Sequence, residues 1–414
     1  MFKKAHLDNG MPLVMKQLKN MHSVSLGVWV KVGSRNEPPH KNGISHFLEH
    51  MFFKGTKKRS SRDISVDVDY MGGDLNAFTS KESTTFYIKV LDEYLDKGIS
   101  LLSDIFLHST FPEEEIEKEK GVIKEEIKMV EDTPEDYVHD LFSQAVWGNV
   151  GIGQPILGRT DTIKTITRED LINYIKKFYG TKDTLLACAG NFEPERLVDT
   201  LNRRFGTLRQ GSEPDTGGYP EFHAGQNIHS KDCSEVHICL AAEGIPQASP
   251  ERYCLSALNA ILGAGVSSIL FQEIREKRGL VYSIHSFLAS YFDTGLWGVY
   301  AGCSRKNVNE VLDLILREFK GLPESVGYSE LERAKKQLRG NLILGLESTS
   351  AMMHNIARQE IYYGRYYSLE ELIKEIDSLT LSSLKGLSER LIKGKGITLT
   401  ILGPVDKDSI QVQL

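Results

Sequence analysis

Hydrophobic positions recur along this chain with two periods. Val24, Leu26, Val28 and Val30 alternate with polar or small residues, as do Val236, Ile238, Leu240 and Ala242. A period of two predicts strands with one face buried. Leu95, Ile99, Leu102 and Phe106, and later Val308, Leu312, Ile315 and Phe319, recur at steps of three and four, which predicts helices that each bury one stripe. Residues 84–91 and 296–301 read as further strands, and 329–346 and 350–363 as a consecutive pair of helices.

These patterns repeat. An offset near 213 lays these early segments on the later ones, in the same order. Thr167, Leu171 and Phe178, followed by Leu185 to Gly190, match Thr380, Leu384 and Leu391, followed by Thr398 to Gly403. The polar, Gly- and Pro-rich stretch 206–220 between the copies reads as a connection. The sequence therefore predicts two homologous domains, 1–210 and 228–414, joined by a linker over 211–227. Strands that follow one another directly, and helices that come in pairs, point to an α+β fold. Each domain is expected to be a largely antiparallel sheet with helices packed on one face.

Composition narrows the function classes. The 414 residues are 40% hydrophobic and 26% charged, which is ordinary for a globular protein and excludes a disordered one. Fifty Lys and Arg against 56 Asp and Glu give a net charge of −6, without the basic excess of a nucleic-acid binder. No apolar run reaches the roughly 18 residues needed to cross a bilayer, and the first ten residues lead into no apolar stretch. A soluble cytoplasmic protein is expected. The five cysteines are odd in number and form no CxxC pair, so reduced packing residues are expected rather than a thiolate metal site or disulfides. Gly263-Ala264-Gly265 lacks the Lys-Ser/Thr of a phosphate loop and reads as a turn between helices.

Chemistry concentrates in Gly43-Ile-Ser-His46-Phe-Leu-Glu49-His50-Met-Phe-Phe53. A spacing of four sets His46 and His50 one turn apart on one helical face, able to aim two imidazoles at one cation. Glu49 sits beside them. Two imidazoles and a carboxylate on an otherwise apolar helix are costly to bury unless something satisfies them, and a divalent metal does so. A third ligand is then needed, commonly a carboxylate. The acidic helix over 113–130 carries an apolar stripe of Ile116, Val122, Ile123, Ile127 and Val130. Glu119 and Glu126 fall within that stripe, about 20° apart, at 100° per residue. Either serves as ligand or as supporting carboxylate; spacing leaves the roles open.

His46-x-x-Glu49-His50 is the inverted zincin pattern. The longer run from His46 to Thr56, with Gly72 to Glu82, the acidic helix and Arg275-Glu-Lys-Arg-Gly-Leu-Val-Tyr282-Ser283, resembles the mitochondrial processing peptidase β-subunit and its bacterial relatives in the pitrilysin/insulinase metallopeptidase superfamily. That resemblance spans essentially the whole chain. It implies a duplicated α+β fold and one Zn2+ per chain, held by His46, His50 and Glu126 with Glu119 in support. It implies Glu49 as general base toward a zinc-activated water, in hydrolysis of unfolded peptides or presequence-like segments. Asn76, Ala77 and Phe78 are implied to lay extended substrate beside a sheet edge, Arg275 and Tyr282 to bind substrate and the developing oxyanion, and Asp136 and Asp140 to face basic residues of the peptide. Longer relatives carry both halves of the site in one chain, so a homodimer is expected here, with Arg275 and Tyr282 acting in trans. The rival implication is a noncatalytic peptide-binding or scaffold subunit of a hetero-oligomer.

Overall fold

The computed structural model describes residues 1–211 and 220–412; residues 212–219 of the 211–227 segment expected as a linker lie outside them. The first sheet contains β1 (Phe2–His6), β2 (Pro12–Gln17), β3 (Ser23–Val30), β4 (Asp74–Thr79), β5 (Thr84–Leu91) and β6 (Thr184–Gly190), in the order β1-β2-β6-β3-β5-β4. The second contains β7 (Gly225–Ser230), β8 (Val236–Glu243), β9 (Val281–Ser290), β10 (Gly295–Cys303) and β11 (Ile397–Gly403), in the order β7-β11-β8-β10-β9. Strand β7 begins inside the segment expected as linker. Apart from β1, the two orders coincide strand for strand, and each sheet has one parallel pair, β2 with β6 and β11 with β7. The registers agree as well. Val28 lies between Phe86 and Leu186, and Leu240 between Val299 and Leu399.

The helices are α1 (Ile44–Phe52), α2 (Ser61–Tyr70), α3 (Leu95–His108), α4 (Glu113–Glu131), α5 (Pro134–Trp147), α6 (Thr160–Thr165) and α7 (Arg168–Phe178). They continue with α8 (Pro194–Phe205), α9 (Arg252–Leu262), α10 (Val308–Ser325), α11 (Tyr328–Leu344), α12 (Thr349–Tyr363), α13 (Leu369–Asp377) and α14 (Leu381–Ile392). Repeat-related helices start alike. Thr167 accepts the Asp170 N–H at the start of α7, and Thr380 accepts the Ser383 N–H at the start of α14, which satisfies an otherwise orphaned donor in each. Among the described residues no helix is long and apolar enough to cross a membrane. All five cysteines are free thiols.

In the first sheet the alternation of β3 sends Val24, Leu26, Val28 and Val30 into a core with Phe47, Leu48 and Met51 of α1, Ile99 and Leu102 of α3, and Leu171 of α7. Each such side chain contributes about 1.5–3 kcal/mol when fully buried. The second core repeats this with Val236, Ile238, Leu240 and Ala242 against Leu255 and Leu258 of α9, Leu312 and Phe319 of α10, and Leu384 of α14. A helical layer on one face of each sheet is the expected arrangement, and the structure adds to it. Trp29, Leu185, Ala187 and Ala189, on the opposite face of the first sheet, pack against Met353, Ile356 and Ala357 of α12.

Packing accordingly divides the chain into one unit of Met1–Lys128, Val150–Gly217 and Gly345–Tyr366, and another of Met129–Asn149, Gly218–Leu344 and Tyr367–Leu414. This differs from a division into 1–210 and 228–414 by two segments. Helix α12 groups with the first sheet, and α5, whose Phe142 and His139 meet Phe287 of β9, groups with the second. Both helices bear apolar stripes that bury against a sheet far away in sequence.

Candidate metal centre

Helix α1 starts under tight backbone constraint. Gly43 precedes it at φ 97, in the left-handed region, and a Cβ there would lie 2.9 Å from the Cα of Gly158. Only glycine accommodates both conditions. The orphaned N–H groups of Gly43 and Ser45 donate to the Glu37 carboxylate at 2.6 and 2.8 Å, and the Asn42 side chain donates to it at 2.8 Å. Burial nevertheless pushes the Glu37 pKa up to about 7. From this start the helix buries Ile44, Phe47, Leu48, Met51 and Phe52, which orients His46 and His50 toward α4.

Helix α4 presents its carboxylates from the edge of its apolar stripe. Ile116, Ile123 and Ile127 are buried, and so is Glu119. Val122, expected within the stripe, is instead 46% exposed, because it sits beyond Glu119 and Glu126 on the solvent side of the helix. The Nε2 atoms of His46 and His50 lie 3.9 and 3.6 Å from Glu126 Oε2. Ligand atoms of His46, His50 and Glu126 all fall within 4.8 Å of one another. Glu119 Oε1 is 2.7 Å from His50 Nδ1, and its other oxygen is 2.6 Å from the Lys54 ammonium. A carboxylate only accepts, so the His50 proton sits on Nδ1 and the Nε2 lone pair faces Glu126.

A divalent cation fits this arrangement. Glu126 Oε2 is buried without a hydrogen-bond partner, and the gaps of 3.6 and 3.9 Å are too long for hydrogen bonds. Donors bound at about 2.0–2.1 Å to one four-coordinate ion stand roughly 3.3 Å apart. Two neutral imidazoles and a carboxylate also form a typical donor set for zinc. Burial and the neighbouring His50 drive the His46 pKa down to about 3, which keeps that ring neutral, as ligation requires. For His50, burial acts downward, but Glu119, Glu126 and Glu49 raise the pKa overall.

Glu49 completes the cluster. Thr79 Oγ1, at the end of β4, donates to Glu49 Oε2 at 2.6 Å, which ties the carboxylate to the rim of the sheet. Burial raises the Glu49 pKa, partly offset by that hydrogen bond. Strand β4 is an edge strand, with Asn76 and Phe78 exposed and Leu75, Ala77 and Thr79 half-buried. The Asn76 side chain accepts from the N–H of Ala77.

The remaining expected residues belong to the second unit. Tyr282 is 77% exposed on the edge strand β9. Arg275 lies in the short π-helical turn Phe271–Glu276, its guanidinium 4.8 Å from the centre of the Phe271 ring. Asp136 and Asp140 lie on α5, with Asp136 exposed and Asp140 half-buried. Sequence reasoning missed Lys54, Thr79 and Glu37. Lys54 lies two residues past the end of α1, where helical spacing no longer fixes a face, so its contact with Glu119 depends on the tertiary fold.

The insulinase (peptidase family M16) model matches residues 13–160, and the peptidase M16 inactive-domain model matches 165–338. The chain belongs to peptidase family M16. An uncharacterized zinc protease of Bacillus subtilis, YmxG, is 38% identical over 405 residues, which cover 98% of each chain. The fold is shared with a protease from Helicobacter pylori (TM-score 0.89, 24% identity, covering 98% of this chain and 99% of that one). It is also shared with a peptidase M16 inactive domain from Pseudomonas fluorescens (TM-score 0.92, 18% identity, 98% of both chains). This M16 chain thus has relatives named zinc proteases over its full span, and the residues gathered around Glu126 suit that metal.

Proposed function

We propose that this chain is a zinc endopeptidase acting on unfolded peptides or presequence-like segments. The observation that carries the reading is the convergence of His46, His50 and Glu126 around a buried, unpartnered carboxylate oxygen, with Glu49 alongside. Zinc, when bound, supplies Lewis acidity that activates water and polarises the peptide carbonyl. Glu49 accepts the proton of the attacking water on its carboxylate and returns it to the departing amine. Thr79 holds the Glu49 carboxylate in one orientation through the whole cycle. Glu119, held by Lys54, fixes the His50 ring so that Nε2 faces inward. Peptide lies along the open edge of β4 beside Asn76, Ala77 and Phe78, through main-chain hydrogen bonds. Arg275 and Tyr282 of a second copy stabilise the oxyanion, and Asp136 and Asp140 favour basic side chains.

The deciding experiment measures zinc content together with chelator-sensitive cleavage of a quenched peptide. Glu49→Gln is expected to keep one zinc per chain and lose turnover by about 10²–10⁴-fold. Mixing it with an Arg275→Ala/Tyr282→Ala chain is expected to restore activity, because each copy supplies what the other lacks. Stoichiometric zinc without cleavage by the unmodified chain would favour a scaffold subunit.

A further inference from the structure

Among the described residues Phe111 is the one non-glycine with positive φ, at 49°. A bulky side chain rarely adopts that conformation, and the following Pro112 restricts the residue further. Strain of this kind persists where its surroundings over-determine it, and here the surroundings are specific. The Phe111 ring is buried and meets the Phe52 ring of α1 edge-on at 5.4 Å. Arg168, the first residue of α7, donates from Nε to the Phe111 carbonyl at 2.9 Å and from a terminal nitrogen to the Thr110 carbonyl at 3.0 Å. The same turn is laced to the chain just past α1. Thr110 N–H donates to Gly55, Lys57 N–H donates to His108, and the Ser109 hydroxyl donates to the Phe52 carbonyl.

This turn is the base of α4, whose Ile116 N–H bonds back to the Pro112 carbonyl. Glu126 stands fifteen residues beyond Phe111, about 22 Å up the helix at 1.5 Å per residue. A rotation of roughly 5° at the base therefore moves Glu126 by about 2 Å, the length of a zinc–ligand bond. The second repeat offers an internal contrast. The offset that aligns the copies places Leu381 where Arg168 stands, and α11, the helix in the place of α4, carries no ligand.

We propose that Arg168 is a positioning residue for the metal site: by clamping the Thr110 and Phe111 carbonyls it holds the strained turn that aims α4, and with it Glu119 and Glu126, at the histidines of α1. The proposal rests on the metal reading above, and zinc affinity separates the two. Competition with a chromophoric chelator on the full chain compares the unmodified protein with Arg168→Met and Arg168→Lys, with Arg196→Met as a surface control. Arg168→Met is expected to weaken zinc binding at least tenfold, with only a small change in the melting temperature of the metal-free protein. Lysine, which offers one donor group in place of a two-pronged fork, should fall between the two, and Arg196→Met should match the unmodified chain. Unchanged zinc affinity in Arg168→Met, whatever its melting temperature, would overturn the proposal while leaving the metal site standing. An unmodified chain that takes up no zinc would remove the metal reading and this inference together.

Discussion

Helices α1 and α9 hold the same place in the two repeats, each leading away from the central strand of its sheet. Both are largely buried, yet they spend that burial differently. Aligned by the repeat, Asn259 stands where His46 does, Leu262 where Glu49 does and Gly263 where His50 does. Helix α9 buries Cys254, Leu255, Leu258, Ile261 and Leu262 and gathers no ligand set. The fold is thus built the same way with an apolar helix in that position. The two imidazoles and the one carboxylate of α1 are therefore a cost that the architecture does not require, which is the pattern expected of a functional site.

The sharpest way to test this contrast is to remove the proposed ligand supplied from outside α1. Glu126→Gln is expected to abolish stoichiometric zinc binding and reduce peptide cleavage to background, while circular dichroism stays that of the parent. The converse experiment tries to write the site into the second repeat. A Cβ at Gly263 would lie 2.4 Å from the Ser286 backbone nitrogen, so Asn259→His/Gly263→His should bind no second zinc. It should also lose roughly 1–3 kcal/mol of stability through overpacking, read from the urea midpoint.

A smaller effect is expected at Lys54. Lys54→Met leaves Glu119 buried with His50 as its remaining partner, and zinc affinity should fall about 10–100-fold, again by chelator competition.

Helix starts supply a further test, in stability rather than metal. Glu37 caps α1, whereas the repeat places Pro250 at the corresponding position before α9. Burial holds the Glu37 pKa at about 7, against 4.5 in an unfolded chain. Below pH 4.5 both states carry the proton. Between 4.5 and 7 the native state keeps a proton that the unfolded chain has released, so this group's contribution to stability declines as pH rises and then levels off. The groups facing it are Asn42, the N–H groups of Gly43 and Ser45, and Tyr174 through Ser45. The urea-measured stability difference between the parent and Glu37→Ala should shrink over that window. The smallest effect is expected at Asp136. As an exposed carboxylate it contributes about 0.2–1 kcal/mol to an ion pair, so Asp136→Asn should raise KM for arginine-containing peptides by no more than about fivefold.

Much of this was legible in the sequence because it depends on local periodicity. Alternation in β3 and β8, and three-four spacing in α3 and α10, specify which faces are buried, and repetition at one offset specifies that they are buried twice in the same way. The face arithmetic on α4 singled out Glu119 and Glu126 for the same reason, although it also admitted Val122. An apolar stripe states that a helix must cover something, without stating what. The stripes of α5 and α12 therefore gave no warning that each covers the sheet of the other repeat. Lys54, Thr79, Glu37 and Arg168 were missed for a related reason. Each acts through a partner that only the tertiary fold brings near, and one polar side chain has no period to betray it.

The grouping of α12 with the first sheet and α5 with the second has a consequence for how such a chain can be divided. A cut anywhere in 211–227 yields two fragments of similar size, and neither contains the whole of its own unit. The N-terminal fragment would leave Trp29, Leu185, Ala187 and Ala189 bare, while its own α5 would hang as an unattached amphipathic arm. Separately synthesised halves should consequently aggregate alone and become soluble when produced together, through an intramolecular form of domain swapping that locks the two copies of an ancestral duplication into one polypeptide.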